Sequence, residues 1–365
     1  MRVIISGGGT GGHIYPALAI ISEIRRQQPD SEFLYIGTAK GLESDLVKRE
    51  GIPFQEIEIQ GFKRQLTTDN LQTVKKFFNA IAIAKRHINQ FQPDVVIGTG
   101  GYVCAPVLYG AAKLKIPTFL HEQNIIPGLT NNFLSSYVDT IGISLEGARE
   151  HFRKAKKVVL TGNPISSQVI MADAESGYSF LNVEKDKKVI LIFGGSRGAM
   201  PINQAIINLV LQIEKRTSEH YVFVTGAVNY EEVLAQLNKN YPELPSNLTL
   251  FPYLYNMPEL LKIATILVSR GGASTLAEIT ALGLPAILIP SPYVTNNHQF
   301  KNAQWLEAES AAIVVREQDL TANILEDAID NLLVNHAVYS SNAWKLGIRD
   351  SAHRIYNELQ ILLKK

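Results

Sequence analysis

Short apolar runs rich in β-branched residues alternate with helical patterns along nearly the whole chain, and this alternation restricts the fold more than any other feature. Apolar strands joined by helical crossovers are typical of a parallel sheet that is buried on both faces. In the first half we predict strands at Val3–Ser6, Phe33–Ile36, Phe54–Ile57, Val95–Gly98, Thr118–His121 and Thr140–Ile143. Helices are predicted between them at Tyr15–Gln27, Leu42–Glu50, Leu71–Phe91 and Val103–Leu114.

The same pattern starts again in the second half. Strand Val189–Phe193 leads into a glycine-rich loop and a predicted helix at Asn203–Glu214, and later strands are predicted at Tyr221–Thr225, Leu248–Phe251, Ile266–Ser269, Ala286–Ile289 and Ile313–Val315. The polar stretch Ala172–Lys188 is predicted to be weakly structured, and the last helix is predicted at Asn342–Leu363. We expect an α/β fold of two Rossmann-like domains, residues 1–163 and 164–340, whose parallel sheets face each other across a cleft. Residues 341–365 would form a C-terminal helix that packs back toward the first domain.

Composition excludes several classes of protein. The chain has 365 residues, 46% of them hydrophobic, and no apolar run approaches the roughly 18 residues that a membrane span needs. Its one cysteine, Cys104, excludes an intrachain disulfide. The net charge is only +1, with the positive charge in the first half, which indicates an anionic ligand or surface there. No basic stripe is interleaved with aromatic residues, so no nucleic-acid partner is expected.

The first glycine-rich loop, Gly7-x-Gly9-x-x-Gly12, has the spacing of a dinucleotide fingerprint between a strand and a helix. The fingerprint also needs an acid at the end of the second strand, which here ends Gly37-Thr38, so a nicotinamide or flavin is disfavoured and no cofactor is expected. Glycines and a helix N-terminus still suit a diphosphate. In the second loop, Ser196 and Arg197 add a hydroxyl and a charge to the same chemistry.

A third strand-to-helix junction carries polar residues between Arg270 and Glu278. A carboxylate in the first turns of that helix can accept two hydrogen bonds from a vicinal diol such as a ribose. A glutamate placed there only because the helix dipole favours it is the alternative interpretation.

The motifs that carry a family resemblance occur in the order SGGGTGGHIYPALAI, GTGGYVCAPV, HEQNIIPGLTNN, GNP, GGSRGA, SRGGASTLAEI and NNHQFKNA. Together they resemble the MurG family, and the resemblance implies the two-domain GT-B arrangement. It also implies inverting transfer of N-acetylglucosamine (GlcNAc) from UDP-GlcNAc to the C4 hydroxyl of the muramoyl sugar of lipid I, which forms lipid II. The chain has no Asp-x-Asp motif, so we expect no metal and assign the leaving-group charge to backbone N–H groups and a helix dipole.

By position in these motifs, the resemblance implies UDP-GlcNAc contacts from Thr10, Gly11, Gly12, Asn124, Ser196, Leu254, Arg270, Ala273, Ser274, Thr275, Leu276, Ala277, Glu278 and Gln299. Leu254 would meet the uracil through its backbone. Tyr102, Asn131 and Asn203 match further site positions. Many family members carry an arginine after GNP, where this chain has Ile165, so that contact is absent or Arg197 replaces it.

A general base must take the proton of the acceptor hydroxyl. His13 is the first candidate, since the positive end of the helix dipole favours a neutral imidazole that can accept a proton. Glu122 is the rival candidate, and His121 could orient either one. His13 could instead only hydrogen-bond a ligand or cap the helix.

Residues 62–90 are basic, with Lys63, Arg64, Lys75, Lys76, Lys85 and Arg86, and carry apolar residues on one helical face, namely Leu71, Val74, Phe77, Phe78, Ile81 and Ile88. Such a helix can lie on an anionic membrane, and an ordinary core-facing helix is the alternative. The implied lipid substrate suggests a peripheral location on the cytoplasmic face of the cell membrane, where other cell-wall enzymes are potential partners. Two functional alternatives stay open: a glycolipid transferase that uses another UDP-sugar, and a non-catalytic nucleotide-sugar binding protein.

Overall fold

A computed structural model describes residues 1–59, 69–241, 243–294 and 297–364, with the backbone alone for residues 69–75. The chain divides into two compact units, Met1–Ile165 with Asp350–Lys365, and Ser166–Arg349. Each unit contains a parallel sheet flanked by helices, which confirms the predicted α/β fold class. That the two sheets face each other across a cleft stays a prediction.

The first unit is built on a parallel sheet with the strand order β3-β2-β1-β4-β5-β6-β7. The strands are β1 Arg2–Ser6, β2 Glu32–Gly37, β3 Phe54–Glu56, β4 Val95–Gly98, β5 Thr118–Glu122, β6 Thr140–Ile143 and β7 Val158–Leu160. The helices are α1 Gly11–Gln27, α2 Leu42–Arg49, α3 Asp69–Phe91, α4 Cys104–Lys113 and α5 Leu129–Leu134. The strand order reverses beside β1, which lies between β2 and β4. Ligands of open parallel sheets bind at the carboxyl ends of the strands at this point.

The second unit repeats this order as β10-β9-β8-β11-β12-β13. Its strands are β8 Lys188–Phe193, β9 Glu219–Val224, β10 Leu248–Phe251, β11 Ala264–Ser269, β12 Ala286–Leu288 and β13 Ala312–Val314. The helices that follow α5 in the chain are α6 Ile165–Met171, α7 Ala174–Leu181, α8 Met200–Ile207, α9 Val210–Lys215, α10 Tyr230–Asn240, α11 Met257–Ile263, α12 Ala273–Leu282, α13 His298–Ala308, α14 Ala322–Val334, α15 His336–Leu346 and α16 Ser351–Leu363. Here β8 and β11 are the neighbours at which the order reverses, so their following loops share one edge.

Two local predictions in the second unit were wrong. The stretch Ala172–Lys188 contains α7, because the Asp173 side chain caps its first turn by accepting from the N–H groups of Glu175 and Ser176, both at 3.1 Å. The helix predicted at Asn203–Glu214 is the pair α8 and α9. Strand β7 was not predicted.

The single helix predicted at Asn342–Leu363 was also wrong, since it breaks between α15 and α16. Gly347 passes so close to α12 that a Cβ would lie 2.2 Å from the Thr280 carbonyl oxygen. Beyond the break, Ile355 and Leu359 of α16 are fully buried in the first unit, in the core that α1 and alternate residues of β1 also form.

Helix α3 supports the core-facing alternative. Ala84 and Ile88 are fully buried, and Ile81 is 8% exposed, because this face packs on α4. Phe77 is partly buried against the same core, whereas Phe78 is 65% exposed. Lys63 and Arg64 lie outside the described residues, as do the side chains of Leu71, Val74 and Lys75. No helix within the described ranges is long and apolar enough to span a bilayer.

Candidate functional site

The first glycine loop joins β1 to α1 and has two differently used halves. A Cβ on Gly7 would lie 2.1 Å from Thr99 Oγ1, and one on Gly8 would lie 2.6 Å from Glu43 Oε1, so these two glycines make room for the protein's own side chains. Gly12 is exposed, and its nearest neighbour would be Thr10 Oγ1 at 3.7 Å. Gly11 and Gly12 open α1, where N–H groups lack partners inside the helix and can bind an anion.

The His13 ring is held in one orientation at the start of α1. Its Nδ1 lies 2.9 Å from the Gly8 carbonyl oxygen and 3.4 Å from Thr10 Oγ1. A carbonyl only accepts, so Nδ1 carries the hydrogen and the neutral ring keeps its lone pair on Nε2. A Cβ on Gly100 would lie 2.9 Å from that Nε2, and Gly100 has a φ of +110°, so the turn after β4 needs glycine to make room for the imidazole.

Glu43 is a buried acid beside the first loop that the sequence analysis did not single out. It is fully buried on α2, where Oε1 accepts from the Thr38 N–H at 3.1 Å and hydroxyl at 2.6 Å. Oε2 accepts from the Gly9 N–H at 3.2 Å. The fingerprint places its acid at the end of the second strand, whereas Glu43 lies six residues beyond Gly37, the last residue of β2, and its carboxylate contacts the loop. A glutamate just after the Gly41 turn was the available signal.

Glu122 organises the loop that follows β5. It is 1% exposed, and burial raises the pKa of its carboxyl. Oε1 accepts from the backbone and side-chain nitrogens of Asn124 at 2.9 and 3.2 Å, and Oε2 accepts from Asn131 Nδ2 at 2.8 Å and the Gly128 N–H at 3.3 Å. Because this buried carboxylate accepts four hydrogen bonds, its contacts favour a role in positioning the loop over a role as base. Asn131, as one of the donors, supports the same loop.

His121 is buried with both ring nitrogens engaged. Nε2 donates to the Gly162 carbonyl at 2.9 Å, and Nδ1 accepts from Gln123 Nε2 at 3.1 Å. Burial lowers the pKa of His121 to about 4, which keeps the ring neutral. His121 therefore ties β5 to the segment after β7, and its expected role of orienting a base stays a prediction. Tyr102, partly buried, lies beside the first loop, 3.7 Å from where a Gly9 Cβ would be.

The second glycine loop, between β8 and α8, presents its side chains outward. Ser196 and Arg197 are exposed, and behind them a Cβ on Gly198 would lie 1.9 Å from the Thr225 carbonyl oxygen. Asn203 is fully buried, and its Nδ2 donates to that same carbonyl at 3.1 Å. Asn203 thus supports the loop, while the donor contact expected of the exposed Ser196 stays a prediction.

At the end of β11, the Arg270 guanidinium is held inside the unit. It lies 2.5 Å from Glu317 Oε2, and its Nη1 donates to the Ile289 carbonyl at 2.9 Å. These contacts position the junction that leads through Gly272 into α12. Arg270 was expected to contact UDP-GlcNAc, and that contact stays a prediction.

Helix α12 begins with the predicted residues Ala273, Ser274 and Thr275. Leu276 is buried in the core and Ala277 is partly buried. Ser274 Oγ is buried and has no hydrogen-bond partner within the described residues. Glu278 is 8% exposed, and burial alone raises the pKa of its carboxyl to about 8. In the described part of the chain Glu278 has neither a hydrogen-bond nor an ion-pair partner, which leaves its oxygens available for a ligand.

Two further residues predicted to contact the donor, Leu254 and Gln299, also belong to the second unit. The Leu254 side chain is 5% exposed and packs in the core after β10, so only its backbone could meet a base. Gln299 lies in the first turn of α13, and its Oε1 accepts from the Ser291 N–H at 2.9 Å. Over the described ranges, no group of three or more His, Cys, Asp and Glu side chains could hold a metal ion.

Comparison with known families assigns both units. Residues 3–143 match the glycosyltransferase family 28 N-terminal domain, and residues 189–355 match the glycosyltransferase family 28 C-terminal domain. The chain is 50% identical over 365 residues to the UDP-N-acetylglucosamine–N-acetylmuramyl-(pentapeptide) pyrophosphoryl-undecaprenol N-acetylglucosamine transferase of Bacillus licheniformis, covering 99% of each chain. It is equally similar, at 50% over 368 residues and the full length of both chains, to transferase 1 of the same name from Bacillus cereus.

Solved structures agree with the fold. The crystal structure of Acinetobacter baumannii MurG matches with a TM-score of 0.74 and 27% identity over 99% of both chains. A UDP-GlcNAc 2-epimerase from Neisseria meningitidis bound to UDP-GlcNAc matches with a TM-score of 0.70 over 99% of this chain and 100% of that one. At 17% identity, the second likeness shows the fold alone.

Proposed function

Because the chain belongs to the MurG family, with both domains of glycosyltransferase family 28, we propose that His13 is the base of its transfer reaction and that Ser196 and Glu278 bind the donor. The protein is a UDP-GlcNAc-dependent N-acetylglucosaminyltransferase that transfers GlcNAc to lipid I and forms lipid II. The observation that carries this reaction is the 50% identity to enzymes so named over the full length of the chain.

His13 suits the proton transfer that inversion requires. In a single displacement the C4 hydroxyl of the muramoyl sugar attacks the anomeric carbon of GlcNAc while a base removes its proton. Because Nδ1–H donates to the Gly8 carbonyl, Nε2 is the atom that would accept the proton of the acceptor hydroxyl. The N–H groups of Gly11 and Gly12 at the start of α1 would bind the acceptor diphosphate and the transferred sugar.

The second unit would bind the donor and stabilise the leaving UDP. Charge develops on the β-phosphate as the sugar bond breaks, and the N-terminus of α12 at Ala273–Thr275 supplies N–H groups and the positive end of its dipole. The exposed Ser196 hydroxyl would add a hydrogen bond. Glu278 would accept from the two ribose hydroxyls, which supplies the partners that this buried carboxyl lacks.

The reaction is tested by UDP release from the purified protein with UDP-GlcNAc and a short-chain lipid I analogue. We expect release that requires both substrates and yields a lipid II analogue with the β-linkage. Release with UDP-GalNAc in place of UDP-GlcNAc would indicate a transferase with another donor. Tight UDP-GlcNAc binding without release would indicate a binding protein.

We also propose that the protein is a peripheral membrane protein, which binds anionic lipid at the cytoplasmic face of the cell membrane through its first unit. Phe78 and Phe133 are 65% and 41% exposed and both pack on the Phe77 ring, with ring centroids 6.0 and 6.2 Å apart. Phe133 also lines a groove with the basic side chains of Arg153 and Lys154. Exposed aromatic rings beside basic residues suit the interface of an anionic bilayer.

Vesicle flotation tests this location. Phe78→Ser with Phe133→Ser should reduce binding to vesicles rich in phosphatidylglycerol, while UDP release from UDP-GlcNAc in the presence of a water-soluble acceptor is retained. The matched control is Val334→Ser with Val338→Ser, two exposed apolar residues of the second unit at 83% and 57% exposure. Equal binding of all three proteins would contradict the proposed surface.

A further inference from the structure

The buried carboxylate of Glu43 and the ring of His13 contact the same peptide group from opposite sides. Gly9 N–H donates to Glu43 Oε2 at 3.2 Å, and the carbonyl of that peptide unit, Gly8 C=O, accepts from His13 Nδ1 at 2.9 Å. The three groups therefore form a chain in which the imidazole donates to the peptide carbonyl and the peptide N–H donates to the carboxylate. The two side chains need not touch to be coupled, because hydrogen bonds in series polarise one another.

We propose that Glu43 is a positioning residue that acts on His13 through the Gly8–Gly9 peptide, fixing the Nδ1–H tautomer and making Nε2 a stronger base. The inference rests on the proposed role of His13 in the transfer reaction. A carboxylate that accepts from the peptide N–H increases the negative charge on its carbonyl oxygen, and a more negative oxygen holds the imidazole Nδ1–H more tightly. Direct carboxylate–imidazole pairs have the same effect on tautomer and basicity.

The surrounding glycines keep this arrangement in place. A Cβ on Gly8 would lie 2.6 Å from Glu43 Oε1, and one on Gly41 would lie 2.3 Å from both carboxylate oxygens. On the other side of the peptide, a Cβ on Gly101 would lie 2.3 Å from the Gly8 oxygen. Side chains at these positions would displace the carboxylate or the carbonyl, so the glycines keep both faces of one peptide open to its two partners.

Other titratable side chains also lie near the Gly8–Gly9 peptide, but Glu43 is the acid that contacts it. Tyr35 on β2 donates to the Gly7 carbonyl at 2.6 Å, and burial raises the pKa of its phenol. Cys104 on α4 donates to the Gly100 carbonyl at 3.0 Å, and burial raises the pKa of its thiol to about 11. The Tyr102 and Tyr15 rings lie beside Gly9 and Gly11. Because Tyr35 and Cys104 both stay neutral at neutral pH, we assign any electrostatic effect of this group of side chains on the pKa of His13 to Glu43.

The test compares Glu43→Gln with Asp45→Asn, an exposed acid on the same helix. The full-length protein is labelled with ¹⁵N-histidine, and the His13 signal among the eight histidines is assigned with His13→Asn. In Glu43→Gln we expect the pKa of His13 to fall by about half a unit or more, because the imidazolium loses a nearby negative charge. We also expect a smaller share of the Nδ1–H tautomer, whereas Asp45→Asn should leave both unchanged.

Kinetics supply the second measurement. The acid limb of the kcat/KM profile should move to lower pH with the His13 pKa in Glu43→Gln, and kcat should fall about tenfold because a weaker base transfers the proton less well. KM for UDP-GlcNAc should stay within about twofold of its original value. Thr38→Val, which removes one donor to Glu43 and leaves the carboxylate in place, should raise the pKa of His13 instead.

An unchanged His13 pKa and tautomer in folded Glu43→Gln would overturn the proposal, even if kcat fell, because the loss would then come from a loosened loop. If Glu43→Gln does not fold, a His13 pKa in Thr38→Val that falls or stays constant would overturn it. Full activity of His13→Asn would instead overturn the role of His13 as base, while the NMR measurement still decides whether Glu43 acts on the ring.

Discussion

The two glycine-rich loops have the same place in the two units, after the first strand of each sheet and before a helix, yet their surroundings differ. The first loop is hydrogen-bonded to two side chains of the protein itself, namely the buried Glu43 carboxylate at the Gly9 N–H and the His13 ring at the Gly8 carbonyl. The second loop turns Ser196 and Arg197 outward. This difference supports the proposal that the first loop positions His13 for proton transfer, whereas the second loop contacts the donor.

The two units also treat a buried acid differently. Glu43 accepts three hydrogen bonds from the backbone and side chain of its own unit. Glu278 is nearly as buried and has no such partner within the described ranges, so its pKa rises to about 8. A buried carboxyl whose partners belong to the fold stabilises the fold, whereas one that lacks them is available to a ligand.

The largest expected effect comes from His13→Asn. Loss of the base should lower kcat by about 10²- to 10⁴-fold, because general base catalysis contributes that much. The Kd of UDP-GlcNAc, measured by calorimetry, should stay nearly constant. His336→Asn, on α15 of the second unit, is the matched control and should keep full activity. A His13→Asn enzyme with a normal kcat would remove the chemical distinction between the loops.

The pH dependence of stability tests the second acid. Since the pKa of Glu278 is about 8 in the folded protein and 4.5 as its ordinary value, the folded state holds a proton between these values that the unfolded state has lost. Stability must therefore fall as pH rises through this window, by up to about 1.4 kcal/mol per pH unit for one proton.

Glu278→Gln removes this dependence. In urea unfolding of the unliganded protein at pH 5.5, 6.5 and 7.5, we expect the variant to gain stability relative to the original chain as pH rises. Glu231→Gln, an exposed acid on α10, should follow the original curve. Parallel curves for all three proteins would show that Glu278 is not held in its uncharged form.

Alanine at equivalent glycines should affect the two loops unequally. At Gly8 the new Cβ would meet Glu43, so we expect a loss of about 1–3 kcal/mol in unfolding free energy and a lower kcat. At Gly195 nothing lies within 4 Å, and the cost is the strain of an alanine at φ +93°, about 1–2 kcal/mol. Activity should survive Gly195→Ala better than Gly8→Ala at matched stability, and the reverse order would contradict the assignment of the loops.

The smallest expected effect is that of Ser196→Ala. Removing an exposed hydroxyl that meets the donor should raise KM for UDP-GlcNAc about two- to tenfold, the cost of one neutral hydrogen bond, with little change in kcat or stability. Thr10→Ala in the first loop serves as the comparison. If Thr10→Ala raised KM for UDP-GlcNAc more than Ser196→Ala did, the main donor contact would have to be assigned to the first unit.

Much of the fold was predictable because the strands are short, apolar and regularly spaced. Val95–Gly98 and Thr140–Ile143 have the predicted bounds, since a parallel strand buried on both faces carries its signal in its own residues. The predictions that were wrong concern where helices begin, break or end. Helix α7 depends on a single cap, and the break between α15 and α16 depends on close packing of Gly347 against α12.

The two parallel α/β units, the glycine loops at their strand ends and the family could be read from the amino-acid sequence, because periodicity and motif order are local properties of the chain. The contacts of each polar side chain, in contrast, depend on the tertiary structure. Glu122 and His121, adjacent in the chain and both candidates for the chemistry, are buried and hydrogen-bonded within the scaffold. Glu43, 30 residues from His13, shares a peptide with it. Whether a buried carboxylate has hydrogen-bond partners within the fold depends on contacts between distant segments, and no spacing along the chain encodes them.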